Sequence, residues 1–359
     1  MTRGNIPSIF SYPRAAMRTR VCITIDTEFS IGGAFADATR RPVAEPMVYC
    51  NVNERSEGLG FMLDTFRTHD VQATFFVETL QRKYFSHDPM RAIAHQIRDS
   101  GHETELHLHP CWRLFEHADW KERVRTTRRP DDFFGRPLAD SITLLQEGID
   151  TFAQWGLPRP KAFRSGNLQH DANLYKALAA VGIPYSSNVG AAIFDSGDPD
   201  YQLYSGHHER HGVIECPVLS FSDWSFGSKR HMKSLTIAGT SFGEIRTLLE
   251  RARAASIATV VILTHPFEYV LAHDATFSRT RKQHVTQQRL RRLCEYLQQN
   301  DDAFEACGLV HALDTDATAS ARNDLLEVSL SQSLPRMAEQ VIYDNYSRWA
   351  LKRDAANAT

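Results

Sequence analysis

Short apolar runs alternate along this chain with longer segments in which apolar residues recur every three or four positions. The runs are rich in β-branched and aromatic residues and predict strands, whereas the longer segments predict amphipathic helices. Strands are expected at 20–26, 71–77, 103–109, 161–164, 183–187, 213–218, 259–265 and near 309–311. Helices are expected at 54–69, 87–100, 138–155, 171–181, 241–255 and 282–299. This alternation is typical of βαβ units, so the pattern predicts an α/β fold with a parallel sheet.

Length and composition fit one globular domain. The 359 residues are 42% hydrophobic and 23% charged, with a net charge of -2, so the chain can bury a full core. It lacks the basic bias of a nucleic-acid-binding protein. One local basic run precedes an acidic pair, in the order Arg123, Arg125, Arg128, Arg129, Pro130, Asp131 and Asp132. This mixed run favours a solvated loop over a patch for acidic substrates.

The chain shows no internal repeat and no low-complexity linker. We expect one domain over 20–315, an N-terminal extension over 1–19 and a C-terminal helical tail over 316–359. The six cysteines are scattered without CxxC spacing, which favours free thiols in a reducing compartment. The first 20 residues lack the apolar core of a signal peptide, and no segment approaches the ~20 apolar residues of a membrane span. We therefore expect a cytoplasmic protein with no membrane span.

Four predicted strands end in polar residues that a buried strand does not need. They are Asp26 and Glu28 at the first strand, His107 and His109 at the third, Arg164 at the fourth, and His265 at the strand over 259–265. In a closed parallel barrel the carboxyl ends of all strands open on one face. These side chains are therefore expected to lie near one another.

The two histidines have the spacing of metal ligands on a strand. Residues two apart point to the same side, so His107 and His109 can converge on one ion, and Pro110 then ends the strand. A catalytic zinc site takes three protein ligands and leaves a position open, and one carboxylate with two histidines is such a set. Barrel-lining histidines held only by hydrogen bonds are the structural alternative.

The remaining polar residues have the chemistry of acid–base catalysis. One carboxylate of the first strand can bind a metal while the other accepts a proton from the attacking water. A histidine opposite them can protonate the leaving group. Arg164 can keep the base carboxylate ionised and oriented, because an adjacent cation lowers the pKa of a carboxyl group.

Five motifs, in this order, resemble those of the polysaccharide deacetylase superfamily, carbohydrate esterase family 4. They are TIDTE at 24–28, ATFFV at 73–77, GHETELHLH at 101–109, FRSG at 163–166 and LTHP at 263–266. The resemblance covers roughly 20–266. It implies a distorted (β/α) barrel with about seven parallel strands. It also implies metal-dependent hydrolysis of an N-acetyl or similar amide.

The resemblance assigns roles residue by residue. Asp26 matches the catalytic base, Glu28 the acidic metal ligand, His107 the first histidine ligand, Arg164 the arginine that tethers the base, and His265 the general acid. The family's second histidine ligand lies four residues after the first, and that position is Cys111 here. Three alternatives are open: His109 replaces that ligand, the Cys111 thiolate replaces it, or the site has lost its metal. The i, i+2 spacing on a strand favours His109.

The expected function is removal of an acyl group, foremost acetyl, from an amino sugar or a sugar-containing precursor, with a divalent metal, foremost Zn²⁺. Asn167, next to the FRSG motif, and Trp224 are the expected substrate contacts. Two alternatives remain open at this point. One is a hydrolase of a non-sugar C–N bond with altered or absent metal, and the other is a catalytically silent sugar-binding barrel. A homodimer formed through the tail also remains open.

Overall fold

The structure is a computed structural model that describes residues 18–226, 229–315, 322–329, 331–333 and 336. The strands within these residues are β1 (Thr19–Thr27), β2 (Asn51–Val52), β3 (Arg55–Ser56), β4 (Thr74–Glu78), β5 (Glu103–Leu108), β6 (Ala162–Ser165), β7 (Tyr185–Ser186), β8 (His208–Arg210), β9 (Val213–Glu215), β10 (Ser220–Phe226), β11 (Lys229–Ser234), β12 (Thr259–Thr264), β13 (Val270–Ala272), β14 (Thr280–Lys282), β15 (Phe304–Ala306) and β16 (Leu326–Glu327). The α-helices are α1 (Glu45–Tyr49), α2 (Leu59–Thr68), α3 (Pro89–Asp99), α4 (Trp112–Phe115), α5 (Trp120–Thr126), α6 (Leu138–Trp155), α7 (Ala172–Ala180), α8 (Phe242–Ala254), α9 (His284–Gln299) and α10 (Leu309–Thr315).

One curled, mostly parallel sheet organises the described part of the chain. Its strand order is β12-β1-β4-β5-β6-β7-β9-β8, and β15 pairs in parallel with β1. All pairs from β12 to β9 are parallel, and only β8 runs antiparallel at the edge. Isolated parallel bridges from Val218 to Val261 and from Thr236 to Leu263 join the chain beyond β9 to β12. The sheet is thus a distorted barrel of about seven successive parallel strands, as expected.

Continuous apolar sequence explains why the strands lie inside. In β12, TVVILT, all six residues are buried, as is typical of a parallel strand covered on both faces. Helices cover the outer face, and α6 turns leucine, isoleucine, phenylalanine and tryptophan side chains toward the sheet. Gly148 permits a close approach there, because a Cβ at this position would lie 2.7 Å from Cδ1 of Leu106. Successive side chains of a strand point to opposite faces. Leu106 points outward to α6, so His107 faces the interior of the barrel.

The register of the parallel strands sets the level of the polar residues. Glu78 at the end of β4 pairs with His107 on β5, and His107 pairs with Arg164 on β6. On the other side of β1, Ile25 pairs with Thr264 at the end of β12. The carboxyl ends of β1, β4, β5, β6 and β12 therefore meet at one rim, as expected for this class of fold.

The prediction of a strand at 309–311 is wrong. These residues begin helix α10, and the last strand of the sheet is β15 instead. The carboxylate of Glu103 accepts the N–H of Val310 at 3.0 Å and of His311 at 2.9 Å, and the Thr74 hydroxyl accepts the N–H of Leu309 at 2.7 Å. Side chains distant in sequence satisfy the free N–H groups of the first helical turn. Such contacts cannot be predicted from the β propensity of the segment itself.

Two further segments differ from the sequence prediction. The helix expected over 54–69 begins only at Leu59, because the preceding residues form the β2–β3 hairpin, in which Asn53 and Glu54 have φ of 50° and 64°. Trp224 lies on β10, in a separate sheet of order β11-β10-β16. Most of the predicted extension over 1–19 and of the helical tail over 316–359 lies outside the described residues. Among the described residues, no helix has both the length and the apolar character needed to cross a membrane.

Candidate metal and catalytic site

Three of the expected ligands converge at the rim. One ligand atom each from Glu28, His107 and His109 lie within 4.8 Å of one another. Oε2 of Glu28 is 3.1 Å from Nε2 of His107 and 2.6 Å from Nε2 of His109. Glu28 follows β1 and His109 follows β5, so both side chains lie just beyond the strand ends that hold them.

The protein fixes which nitrogen of His107 faces this cluster. Nδ1 lies 2.8 Å from the backbone oxygen of Arg164 on the adjacent strand. A carbonyl oxygen can only accept, so Nδ1 carries the proton and donates it. In the neutral ring, Nε2 then presents its lone pair toward Glu28.

A different group holds Nδ1 of His109, so that its Nε2 also faces Glu28. Its Nδ1 lies 2.7 Å from Oδ2 of Asp131, a residue of the loop between α5 and α6. The ring lies close to Gly166, where a Cβ would come within 2.4 Å of Nδ1. Glycine at this position of the FRSG motif therefore leaves the space that the imidazole occupies.

The donor set suits a cation. Two imidazole Nε2 atoms and one carboxylate oxygen face one another, and three lone pairs at this distance require a proton or a metal ion between them. Burial alone would raise the pKa of Glu28, but the charges and hydrogen bonds of His109 and His107 hold it well below its ordinary value. Burial opposes the protonation of His109, yet Asp131 and Glu28 raise its pKa well above the ordinary value. Histidine nitrogen and carboxylate oxygen are zinc ligands, so these residues fit the expected metal.

Cys111 lies outside the Glu28 cluster. Its ligand atom belongs instead to a second group, with His109 and Asp131. The residue is buried, and its N–H donates to Oδ1 of Asp131 at 3.2 Å. Burial, with the charge and hydrogen bond of Asp131, raises the pKa of the Cys111 thiol well above its ordinary value. Thiolate is the form that binds metals, so His109 is the better placed third ligand.

A buried ion pair lies beside the ligand cluster. The fully buried Arg164 donates from Nη1 to Oδ1 of Asp26 at 2.8 Å. The same guanidinium donates to the Thr24 hydroxyl and to the backbone oxygen and hydroxyl of Ser187, at 2.8–2.9 Å, and it lies 4.4 Å from the centre of the Phe76 ring. A guanidinium fixed by four hydrogen bonds holds the carboxylate in one orientation.

His265 faces the other oxygen of Asp26. Its Nε2 is 3.8 Å from Oδ2 of Asp26, and its Nδ1 is 3.0 Å from Oε1 of Glu268. Oε2 of Glu268 accepts from the Thr264 hydroxyl at 2.7 Å and from the N–H of His265 at 3.2 Å. Burial lowers the pKa of His265, but the hydrogen bond and charge of Glu268, with the charges of Asp26 and Glu28, raise it to about 9. The imidazole is therefore a cation at neutral pH.

Three acidic residues of this region were not singled out from the sequence. Asp131 was assigned to a solvated loop, and the structure corrects this, because its carboxylate is only 16% exposed and contacts His109. Glu268 follows His265 by three residues, a spacing typical of a capping box that could have indicated it. Glu78 is fully buried and accepts the N–H groups of Thr79 and Leu80 at 2.8 and 2.7 Å, and that of His109. Burial raises the pKa of Glu78 to about 7.

The two expected substrate contacts lie in different places. Asn167 is exposed beside the ligand cluster, and its amide donates to Oδ2 of Asp131 at 2.9 Å. Trp224 stacks on His231, with ring centres 5.5 Å apart. Its strand, β10, begins two residues after Val218, which bridges to β12.

No family model matches this sequence, and no curated protein is significantly similar to it. Among solved structures, a Mycobacterium smegmatis protein assigned to the polysaccharide deacetylases is similar over 89% of this chain and 99% of its own, with a TM-score of 0.51 and 15% identity. The chain has the polysaccharide deacetylase fold. This confirms the expected barrel. At such an identity the polysaccharide deacetylase fold alone is shared, and activity must be inferred from the site.

Two further structures share less of the fold. A family 4 carbohydrate esterase from Streptomyces lividans, in complex with acetate, matches 87% of this chain and 100% of its own, with 13% identity and a TM-score of 0.39. A family 4 acetyl xylan esterase from Clostridium thermocellum, in complex with a cobalt ion, matches 84% and 93%, with 15% identity and a TM-score of 0.40. At these TM-scores, neither similarity carries an argument about this chain.

Proposed function

We propose that this protein is a metal-dependent amide hydrolase that removes an acyl group, foremost acetyl, from an amino sugar or a sugar-containing precursor. One observation carries the proposal. At the rim of a polysaccharide deacetylase fold, the cluster of Glu28, His107 and His109 lies next to the Asp26–His265 pair, and Arg164 contacts both sets. A carboxylate, an acidic imidazolium and a cation site within one rim are the groups that amide hydrolysis needs.

Glu28, His107 and His109 would hold the metal, with Zn²⁺ the ion that suits their nitrogen and oxygen atoms. When bound, such an ion polarises a carbonyl group and makes water more acidic. Three protein ligands would leave a position at such an ion for water or substrate.

Asp26 would act as the general base. Its Oδ1 is held by Arg164, which leaves Oδ2 toward His265. The guanidinium orients the carboxylate, so Asp26 can accept a proton from the attacking water. A carboxylate fixed in this way accepts the proton without first reorienting.

His265 would act as the general acid. Glu268 holds its Nδ1 and favours the imidazolium, so Nε2 carries a proton that can pass to the departing amine. The amine would otherwise leave as a strongly basic anion. Protonation by a positioned acid typically contributes about 10²–10⁴-fold to such a step.

The substrate class rests on the fold and on groups around the rim. Asn167 offers an exposed amide beside the ligand cluster, and Trp224, half-buried on β10 and stacked on His231, offers an aromatic ring. Aromatic faces and amide groups suit the apolar faces and hydroxyl groups of sugar rings. These two residues are therefore proposed as substrate contacts.

Zinc content and acyl release together test the proposal. Purified protein is dialysed against zinc, its metal is counted by mass spectrometry, and acetate release from N-acetylated amino-sugar oligomers is followed. We expect about one zinc ion per chain and acetate release, with both lost in His107→Ala. The control is His87→Ala, an exposed histidine of the surface. Zinc without release of any acyl group would favour the silent barrel, and C–N hydrolysis without zinc would favour the metal-free alternative.

A further inference from the structure

A carboxylate lies on the far side of His109 from the ligand cluster. Oδ2 of Asp131 is 2.7 Å from Nδ1, while Nε2 of the same ring is 2.6 Å from Glu28. Building on the proposed function, we propose that Asp131 is a positioning residue that makes His109 the third metal ligand in place of the missing histidine at position 111.

The hydrogen bond from His109 to Asp131 selects the tautomer. An ionised carboxylate can only accept, so Nδ1 donates, and once the ring gives up its other proton the lone pair of Nε2 points toward Glu28. A carboxylate behind a ligating imidazole fixes the orientation of the ring and makes its free nitrogen a better donor to a metal. Asp131 therefore supplies both the direction and the basicity that a ligand needs.

The position of His109 explains why a loop carboxylate is required. His107 lies within β5, and the register of the sheet supplies the Arg164 carbonyl for its Nδ1. His109 lies beyond Leu108, the last residue of β5, where its Nδ1 meets Asp131 rather than a carbonyl of the neighbouring strand. A side chain thus orients His109, just past the end of its strand, whereas the backbone orients His107 within the strand.

Asp131 is itself held in place from two other segments. The N–H of Cys111 donates to Oδ1 at 3.2 Å, and the amide of Asn167 donates to Oδ2 at 2.9 Å. The side chain is only 16% exposed. Cys111 is therefore engaged in holding the carboxylate that holds His109, which gives the residue a structural role at the position of the absent ligand.

The neighbouring Asp132 provides a matched control. Its carboxylate pairs with Arg129 and accepts from Gln169 at 2.8 Å, and its partners do not include either histidine. Asp131→Asn and Asp132→Asn each remove one negative charge from the same loop with almost no change in volume. A general effect of loop charge would therefore be equal in the two variants.

The test measures zinc affinity of metal-free protein by competition with a chromophoric chelator, and unfolding of the metal-free form by heat. We expect Asp131→Asn to weaken zinc binding about 10–100-fold, and Asp132→Asn to leave it within about threefold. In a His109→Ala background, Asp131→Asn should have no further effect, because the two residues act through one ligand. Asn167→Ala, which keeps the carboxylate but removes a donor, should give a smaller loss in the same direction.

Other results would overturn the inference. Unchanged affinity in Asp131→Asn, or an equal loss in the His109→Ala background, would show that Asp131 does not act through His109. A second zinc ion per chain that disappears with Asp131→Asn would make His109, Cys111 and Asp131 a separate metal site. Wild-type protein that binds no zinc would instead refute the proposed metal dependence, and this outcome is distinct from the others.

Discussion

Arg164 contributes to both halves of the site, through its backbone and through its side chain. The carbonyl oxygen accepts from His107 and sets the tautomer of this proposed metal ligand, while the guanidinium binds Asp26. Because both contacts come from one residue of β6, the spacing between base and ligand is fixed by a single point of the sheet. The arginine of the FRSG motif was expected to tether the base. Its contact with His107 could not be predicted, because it depends on strand register.

The proposed base can be tested without disturbing the ligands. Asp26→Asn keeps the size of the side chain and a hydrogen bond to Arg164, but an amide does not accept a proton from water at neutral pH. We expect kcat to fall about 10²–10⁴-fold while zinc binding stays near the wild-type value. Acetate release and zinc titration on the same preparation measure the two effects. Turnover at the wild-type rate would rule out Asp26 as the base.

The proposed acid predicts a pH dependence. His265 must be protonated to act, and its pKa is raised to about 9, so activity should fall as the pH rises through about 9. Glu268→Gln removes the hydrogen-bonded anion that stabilises the imidazolium, so it should move this alkaline limb to lower pH. Rate profiles of kcat from pH 6 to about 10 provide the measurement. A limb that stays in place in Glu268→Gln would contradict the role given to Glu268.

The space beside His109 gives a steric prediction. In Gly166→Ala, the new Cβ would meet the His109 ring at 2.4 Å, so the ring must shift and zinc affinity should fall by about tenfold or more. Gly243→Ala is the control, because nothing lies within 4 Å of a Cβ there and alanine suits a helix. Chelator competition measures both variants. Equal zinc affinity in Gly166→Ala and wild type would show that the ring is free to adapt.

At the scale of elements, the hydrophobic period predicted the helices and strands whose conformation depends on local sequence. Helix α6 was expected over 138–155 and has these bounds, because its period is strong and Gly156 ends it with φ of 71°. The same reasoning failed at Leu309, where a short apolar segment fits a strand or a helix equally well. There the choice is made by Glu103 and Thr74, which satisfy the first N–H groups of α10.

This contact makes a stability prediction. Glu103→Ala removes the acceptor of two N–H groups of α10, and loss of such a cap typically costs about 0.5–2 kcal/mol of unfolding free energy. Denaturation by urea measures the change. Glu122→Ala is the comparison, because Glu122 pairs with Arg125 at 3.7 Å on the surface, where both side chains are 60% or more exposed, and such pairs contribute little. Equal effects of the two substitutions would mean that Glu103 is not a cap.

Over the whole molecule, the site is assembled from strands that are far apart in sequence. Glu28 follows β1 and His265 follows β12, and the register of Ile25 with Thr264 brings them to one rim. Each of these residues has a signal in its own segment, because it ends an apolar run. Asp131 has none, since its role comes only from the approach of a loop to His109. Sequence thus pointed to the ligands and catalytic groups proposed here and to Arg164, but not to Asp131 and Glu268, which orient His109 and His265.

Metal binding should therefore stabilise the whole fold, because the proposed ligands come from two strands that must be in register to meet. Zinc at about 100 times its dissociation constant should add about 2.7 kcal/mol to the free energy of unfolding. For a chain of this size that corresponds to a rise in Tm of about 4 °C. Differential scanning calorimetry of metal-free protein, with and without zinc, measures the shift. The rise should vanish in His107→Ala and in Glu28→Gln, and a similar rise in these variants would place the bound zinc elsewhere on the protein.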